Sequence, residues 1–297
     1  MQEIELEKND IILYKAYLKF PYVVVESPQS KRLFLGGIAK KASSKSILLQ
    51  AEYIFTIIES ILEIEKMPIS SIVRQWNYIQ AITKIDCEHQ HYQDFNDART
   101  IFYNKTTWDD GYPAATGIGT SFGGLVIDLE AVLPKGSKVK IRGIDNKLQI
   151  PAFDYSQKVL LGKGDEKLRA KSTPKFERAK AVIDNKVGLL YISGTAAIKG
   201  ETCLGKVDLK EQTLATLENI SHLLLPQTLE EAGIDYGCDI RLISLRVYLK
   251  KKSFYEDVKK IIDKEYINLE IIYLLADVCR DELLIEIEAM ASIGIEA

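Results

Sequence analysis

The 297-residue chain is 46% hydrophobic and 27% charged, the composition of a globular protein and not of a disordered or fibrous one. A formal charge of -3 leaves no basic footprint for nucleic acid. No apolar run approaches the roughly 20 residues that span a bilayer, and Lys250–Lys252 is too short a basic run for a membrane surface.

Met1 to Asp10 alternates acidic and apolar side chains and lacks the charged-then-apolar order of a secretory signal. Cys87, Cys203, Cys238 and Cys279 are scattered without paired spacing, so they read as reduced thiols in a cytoplasmic protein.

From Phe34 onward the chain is written twice. Phe34–Ala39 and Tyr191–Ala196 are aromatic-led strands running into small residues. Each precedes a segment with apolar residues at helical spacing, Ile47–Ile64 and Leu209–Leu225. In the second, Leu214, Leu217, Ile220, Leu223 and Leu224 form one stripe. Strand patterns follow at Ser71–Tyr78 and Arg241–Tyr248, then helical stretches around Tyr92–Tyr103 and Phe254–Glu265. The halves close with nearly the same words, Leu125–Val132 and Leu283–Met290, whose acids share one strand face. Order, element type and wording agree, which is the signature of an internal repeat. Between the copies, Lys138–Lys186 has no counterpart; Val139–Gln149 reads as a hairpin turning at Asp145-Asn146, and Gly162–Pro174 as an exposed loop. The fold class is α+β: two tandem units, residues 1–148 and 149–297, each a mixed sheet with two helices on one face.

Gly117–Gly124 loosely resembles a dinucleotide fingerprint, but it runs into a strand and reads as a strand-connecting loop. Cys87, His89 and His91 lack the paired spacing and fourth ligand of a metal site, so no metal is expected. His222 sits beside an apolar stripe and reads as structural. Glu286 and Glu288 share one strand face. A solvated acid is the reading for Glu288. Glu286, led in by Ala276–Arg280, is either solvated or a carboxyl in a cleft beside Cys279, where burial would raise its pKa. Arg74, Arg178 and Arg246 lie on strand-like segments, where a guanidinium serves an ion pair or an anionic ligand. With Tyr155, Tyr191 and Tyr248 they point softly to an organic anion.

The Tyr191–Thr195 strand, Gln212 and Asn219 on the next helix, and Ile285–Ala289 resemble the reactive intermediate deaminase (YjgF-type) superfamily, which is trimeric with pockets between subunits. The tandem arrangement, with Arg74–Ile79, Tyr92–Arg99, Pro113–Gly119, Ser193–Ile198 and Ala276–Arg280, resembles its chorismatase branch. The resemblance implies YjgF-like units and cleavage of chorismate, a small-molecule substrate, to pyruvate and a ring acid without a cofactor. It implies Glu286 as the catalytic acid that protonates the enolpyruvyl group. The branch making 3-hydroxybenzoate resembles this chain in Cys279 and Ala196, and there Cys279 would accept the ring proton. Tyr155, Arg178, Thr195, Ala196 and Arg246 are the implied substrate-binding residues. Asp128 stands where the first copy matches Glu286, making that copy scaffold and pocket wall. Two departures stand out: Lys199-Gly200-Glu201 replaces the family's Gly-His pair, and Lys158–Arg169 is long and polar. Alternatives are hydrolysis to a dihydroxycyclohexadiene carboxylate, an enamine/imine deaminase, and a non-enzymatic ligand-binding module. The deaminase would need an arginine near Pro113 or Ile271, where none stands. Since tandem copies can cover an interface internally, a monomer is expected.

Overall fold

In the computed structural model, which describes residues 9–40, 46–184, 187–234 and 239–294, two sheets of matching topology face each other with their helices outside. In chain order come β1 (Ile11–Tyr17), β2 (Phe20–Glu26), β3 (Ser30–Ala39), α1 (Ile47–Ile64), β4 (Ile72–Gln80), a ribbon of β5 (Ile85–Asp86) and β6 (His89–Gln90), α2 (His91–Tyr103), β7 (Ala114–Thr120) and β8 (Leu125–Pro134). Next are β9 (Lys140–Ile144), β10 (Ala179–Ile183), β11 (Val187–Thr195), a ribbon of β12 (Ile198–Lys199) and β13 (Thr202–Cys203), and α3 (Leu209–Leu223). The chain ends with α4 (Pro226–Glu231), β14 (Asp239–Leu249), α5 (Tyr255–Glu265), β15 (Glu270–Leu275), β16 (Asp277–Val278) and β17 (Ile285–Gly294).

The first sheet is ordered β1-β2-β3-β8-β4-β7-β16 and the second, read from its far edge, β9-β10-β11-β17-β14-β15. Each has one parallel pair at the same place, β4 with β7 and β14 with β15. The repeat is therefore structural, and β8 and β17 hold equivalent central positions. Two strands cross the expected division after residue 148: β9 pairs with β10 in the second sheet, and β16 extends the first beside β7. Val139–Gln149 is thus no hairpin, because β9 finds its partner across the inserted segment.

Local chemistry accounts for the helices. Ser46 caps α1 by accepting from the Leu49 amide, and Asp208 caps α3 by accepting from that of Glu211. In α1, Ile47, Ile54, Ile58 and Ile61 recur at helical spacing and bury against the first sheet with α2. In α3, Leu217, Ile220 and Leu223 are buried as the stripe requires, whereas Leu214 is exposed. Gln212, Thr213 and Thr216 take the buried face in its place. The inner sheet faces meet through Val73, Ala114 and Val132 from one unit and Val139, Ile141, Val182 and Tyr191 from the other. Gly117 and Gly119 lie within β7, not in a loop; a β-carbon at residue 119 would collide with Asp277 and Ile82. No helix among the described residues is long and apolar enough to cross a membrane.

The bulges fix which residues of the repeat correspond. The β3–β8 ladder slips opposite Ile127 and Leu129, and the β11–β17 ladder opposite Ile287 and Ala289. On the other side, the slips fall opposite Ala131 and Ala291. Both equate Leu129 with Ala289, so Asp128 corresponds to Glu288, and Glu286 to Val126. The expected match of Asp128 with Glu286 is corrected by two residues.

Candidate active site

Alternation along β17 sends Ile285, Ile287 and Ala289 into the core beneath α3 and α5 and turns Glu286 and Glu288 inward between the sheets. Both acids are buried, 4% and 5% exposed. Two amides of α3 hold the strand ends. Gln212 accepts from the Leu284 amide and donates to the Glu282 carbonyl, fixing the entry to β17. Asn219 donates to the carbonyls of Ala196 and Ile198 at the end of β11.

Tyr155, Arg178, Ala196, Cys279 and Glu286 line one cavity. A contiguous recess shares Tyr92, Phe176, Gly194, Cys279 and Glu286 and reaches Arg99. Five of the seven expected site residues are therefore brought together. Thr195 is not among them; its hydroxyl is buried and donates to the Ser193 carbonyl. Nor is Arg246, which lines a separate open groove with Trp76, Tyr78 and Asp128 and ion-pairs Glu288 at 3.1 Å. The register explains this: Arg246 faces Glu288 across the β14–β17 ladder, while Tyr248 stands opposite Glu286.

Residues missed from the sequence form much of the wall. Arg99 of α2 is fully buried and donates to Asn96 at 2.6 Å, and its Nε has no partner. Arg280 donates to the Glu201 carbonyl at 2.8 Å and stacks on Tyr155, 5.2 Å from the ring centre. Arg178 donates to the Tyr155 hydroxyl at 2.8 Å and to the Ile150 carbonyl at 2.7 Å, with its Nε unpartnered. Among the described residues no carboxylate lies within ion-pair distance of these three guanidinium groups, whereas Arg74 and Arg246 are both paired. Arg99 and Arg178 are buried and Arg280 half-buried, and unpaired buried cations are costly unless a ligand anion completes them.

The inserted segment closes the cavity, while Lys163, Glu166, Lys167, Arg169 and Ala170 stay exposed on the expected loop. Val159, Leu160, Leu161 and Pro174 line it, and Asp97 of α2 accepts from the amides of Asp165 and Ser172. The departure at Lys199-Gly200-Glu201 also contributes, since Glu201 accepts from the Ser156 amide and hydroxyl beside Tyr155.

Electrostatics separate the two acids. Burial pushes the Glu286 carboxyl up to about 8; the Glu288 charge adds to this and Arg74 opposes it. Glu286 thus carries a proton at neutral pH and can donate it into the cavity. Glu288 is no solvated acid: it accepts from Arg74 at 2.7 Å, Trp76 at 3.0 Å, Arg246 at 3.1 Å and Thr116. Burial, followed by the Glu286 charge, pushes the Cys279 thiol up to about 12. A thiol that firmly protonated is a poor proton acceptor, contrary to the role expected for it.

A family profile described as Chorismatase FkbO/Hyg5-like, N-terminal, matches residues 24–131. A 3-hydroxybenzoate synthase of Streptomyces hygroscopicus is 30% identical over 235 residues, 76% of this chain and 65% of that protein. The chain is thus similar to chorismatases over its first part by profile and over most of its length by sequence. A chorismatase of the same organism is 26% identical over 225 residues, 74% of this chain and 61% of its own length. The chain spans less than two thirds of the length of these curated relatives. The crystal structure of a chorismatase shares the fold, with a TM-score of 0.76 at 21% identity over 93% of this chain and 78% of that one. The architecture is α+β, with two units of matching sheet order in tandem.

Proposed function

We propose that the cavity binds chorismate and cleaves it to pyruvate and 3-hydroxybenzoate. One observation carries the reading: a buried, protonated carboxyl, Glu286, shares a cavity with Arg99, Arg178 and Arg280, none of them ion-paired. Chorismate has two carboxylates to meet those cations and an enol ether to take the proton. The relative named 3-hydroxybenzoate synthase favours that product over the dihydroxycyclohexadiene acid.

In this reading Glu286 protonates the enolpyruvyl methylene, and positive charge develops on the ether-bearing carbon. The ring hydroxyl attacks the neighbouring ring carbon, breaking its bond to the enolpyruvyl oxygen, which leaves as the carbonyl oxygen of pyruvate. The proton shed by the hydroxyl returns to its oxygen as the epoxide opens, the ring carbon loses its proton to solvent, Glu286 takes one up again, and the phenol forms. Chorismate equals pyruvate plus 3-hydroxybenzoate atom for atom, so no water is consumed. Cys279, holding its proton, shapes the ring's surroundings and is not the base. Tyr155 and Arg178 act as one unit through their hydrogen bond, and Ala196 bounds the ring pocket.

We read the protein as a cytoplasmic monomer; Cys87, Cys203 and Cys279 are free thiols, and the inner faces of the two units cover each other. Incubation with chorismate tests the activity. Pyruvate and 3-hydroxybenzoate in equal amounts are expected; a dihydroxycyclohexadiene acid in place of the phenol would move the chain to the hydrolytic branch.

A further inference from the structure

Glu286 has a conspicuous problem for a proton donor: it is surrounded by cations. Arg74 acts on it from the facing sheet, Arg246 stands on the neighbouring strand opposite Glu288, and Arg99, Arg178 and Arg280 line the joined cavity it faces. Arg74 in particular favours the ionised carboxylate, which cannot protonate a substrate. The nearby phenols of Tyr92 and Tyr248 and the Cys279 thiol are held protonated by burial and compensate none of this charge. Among the described residues, Glu288 is the anion that acts on it.

Its placement is specific. Glu288 lies two residues from Glu286 on the same face of β17, and it takes both Arg74 at 2.7 Å and Arg246 at 3.1 Å. Thr116 of β7 donates to Glu288 and accepts from Arg74 at 2.6 Å and from the Gly194 amide at 3.1 Å. Gly194 is the backbone against which the Glu286 carboxyl lies. Glu288 is thus tied through one hydroxyl to the support of the proton donor, and four side chains from β4, β7 and β14 fix its orientation.

We propose that Glu288 is a positioning residue: a fixed anion that offsets Arg74 and Arg246 and thereby keeps Glu286 in its proton-donating form. It lines neither the cavity that holds Glu286 nor the groove beside Arg246, and acts through its neighbour. Its counterpart in the first unit, Asp128, instead accepts from the Gly37 amide at 2.6 Å and lines the open groove. The arrangement therefore exists once per chain. This proposal rests on reading Glu286 as the proton donor.

The test uses the full chain and two readouts. One is the pH profile of pyruvate release from chorismate. The other is the infrared carboxyl band of Glu286 in substrate-free protein, assigned by its loss in Glu286→Gln and titrated with pH. Glu288→Gln should move both the alkaline limb and the band's titration down by at least one pH unit, a roughly tenfold loss of turnover above pH 8. Adding Arg74→Gln to that variant should move both back up. Arg74→Gln alone, which serves should Glu288→Gln not fold, should raise both. A band whose titration stays put in Glu288→Gln, or in Arg74→Gln, overturns the positioning role. A band that shifts as stated in a protein releasing no pyruvate upholds the role of Glu288 and overturns the reaction.

Discussion

The Glu286 carboxyl lies over the backbone of Gly194 so closely that a β-carbon at residue 194 would overlap its Oε1 and come within 3.1 Å of Thr116 Cγ2. The backbone conformation there is one any residue adopts, so Gly194→Ala would strain packing and not the chain. We predict that Gly194→Ala displaces the carboxyl and lowers turnover at least 100-fold, with about 1–3 kcal/mol of destabilisation from overpacking. Steady-state rates with denaturant unfolding check this; unchanged turnover would mean that Glu286 does not act from this position.

A carboxyl protonated in the fold and ionised when unfolded makes stability fall with pH. The folded group titrates near 8 and the unfolded one near 4.5, so its contribution is full below about pH 4.5 and is lost as pH rises towards 8. From this group alone the slope is on the order of 1 kcal/mol per pH unit. Glu286→Gln should flatten that slope between pH 5.5 and 7.5 in urea titrations while cutting pyruvate release by about 10²–10⁴-fold. Parallel slopes would show that the carboxyl is ionised in the folded protein.

Cys279→Ala separates product choice from initiation. Pyruvate release should persist, with less 3-hydroxybenzoate and more dihydroxycyclohexadiene acid or other ring product by chromatography. A packing role alone predicts a small loss of stability and an unchanged product ratio. Because the thiol stays protonated, the wild-type product ratio should also be flat between pH 6 and 8.

Arg99 and Arg178 anchor charge without an ion-pair partner of their own. Replacing either by Met should weaken chorismate binding by about 1.5–3 kcal/mol, read as a raised KM. Equal KM values for both variants and the wild type would remove these residues from substrate recognition.

Much of this was legible in the sequence, and the parts that were not have physical reasons. The predicted helix at Ile47–Ile64 coincides with α1, because a long apolar segment at helical spacing specifies itself. The register of the closing strands did not, since a period-two pattern matches itself under any even shift. Ile127-Asp128 and Ile285-Glu286 therefore align as words while the bulges pair Asp128 with Glu288. That slip also hid the partner of Arg246, which the strand pattern left free to face the ligand. Helix α2 carries Gln93, Asp94, Asn96, Asp97 and Arg99, a polar sequence that ordinarily faces water. The inserted segment covers it by hydrogen bonds from residues some 70 positions away, contacts without local signal. Arg99 thus had to be found in three dimensions.

Protonation of the enol methylene by Glu286 is the central claim, and the label it leaves is direct. With chorismate in deuterium oxide, followed promptly by proton NMR, we predict pyruvate carrying one deuterium in its methyl group, formed in equal amount with 3-hydroxybenzoate, and neither product from Glu286→Gln on the same timescale. Pyruvate with an unlabelled methyl group, or wild-type rates from Glu286→Gln, would contradict the account.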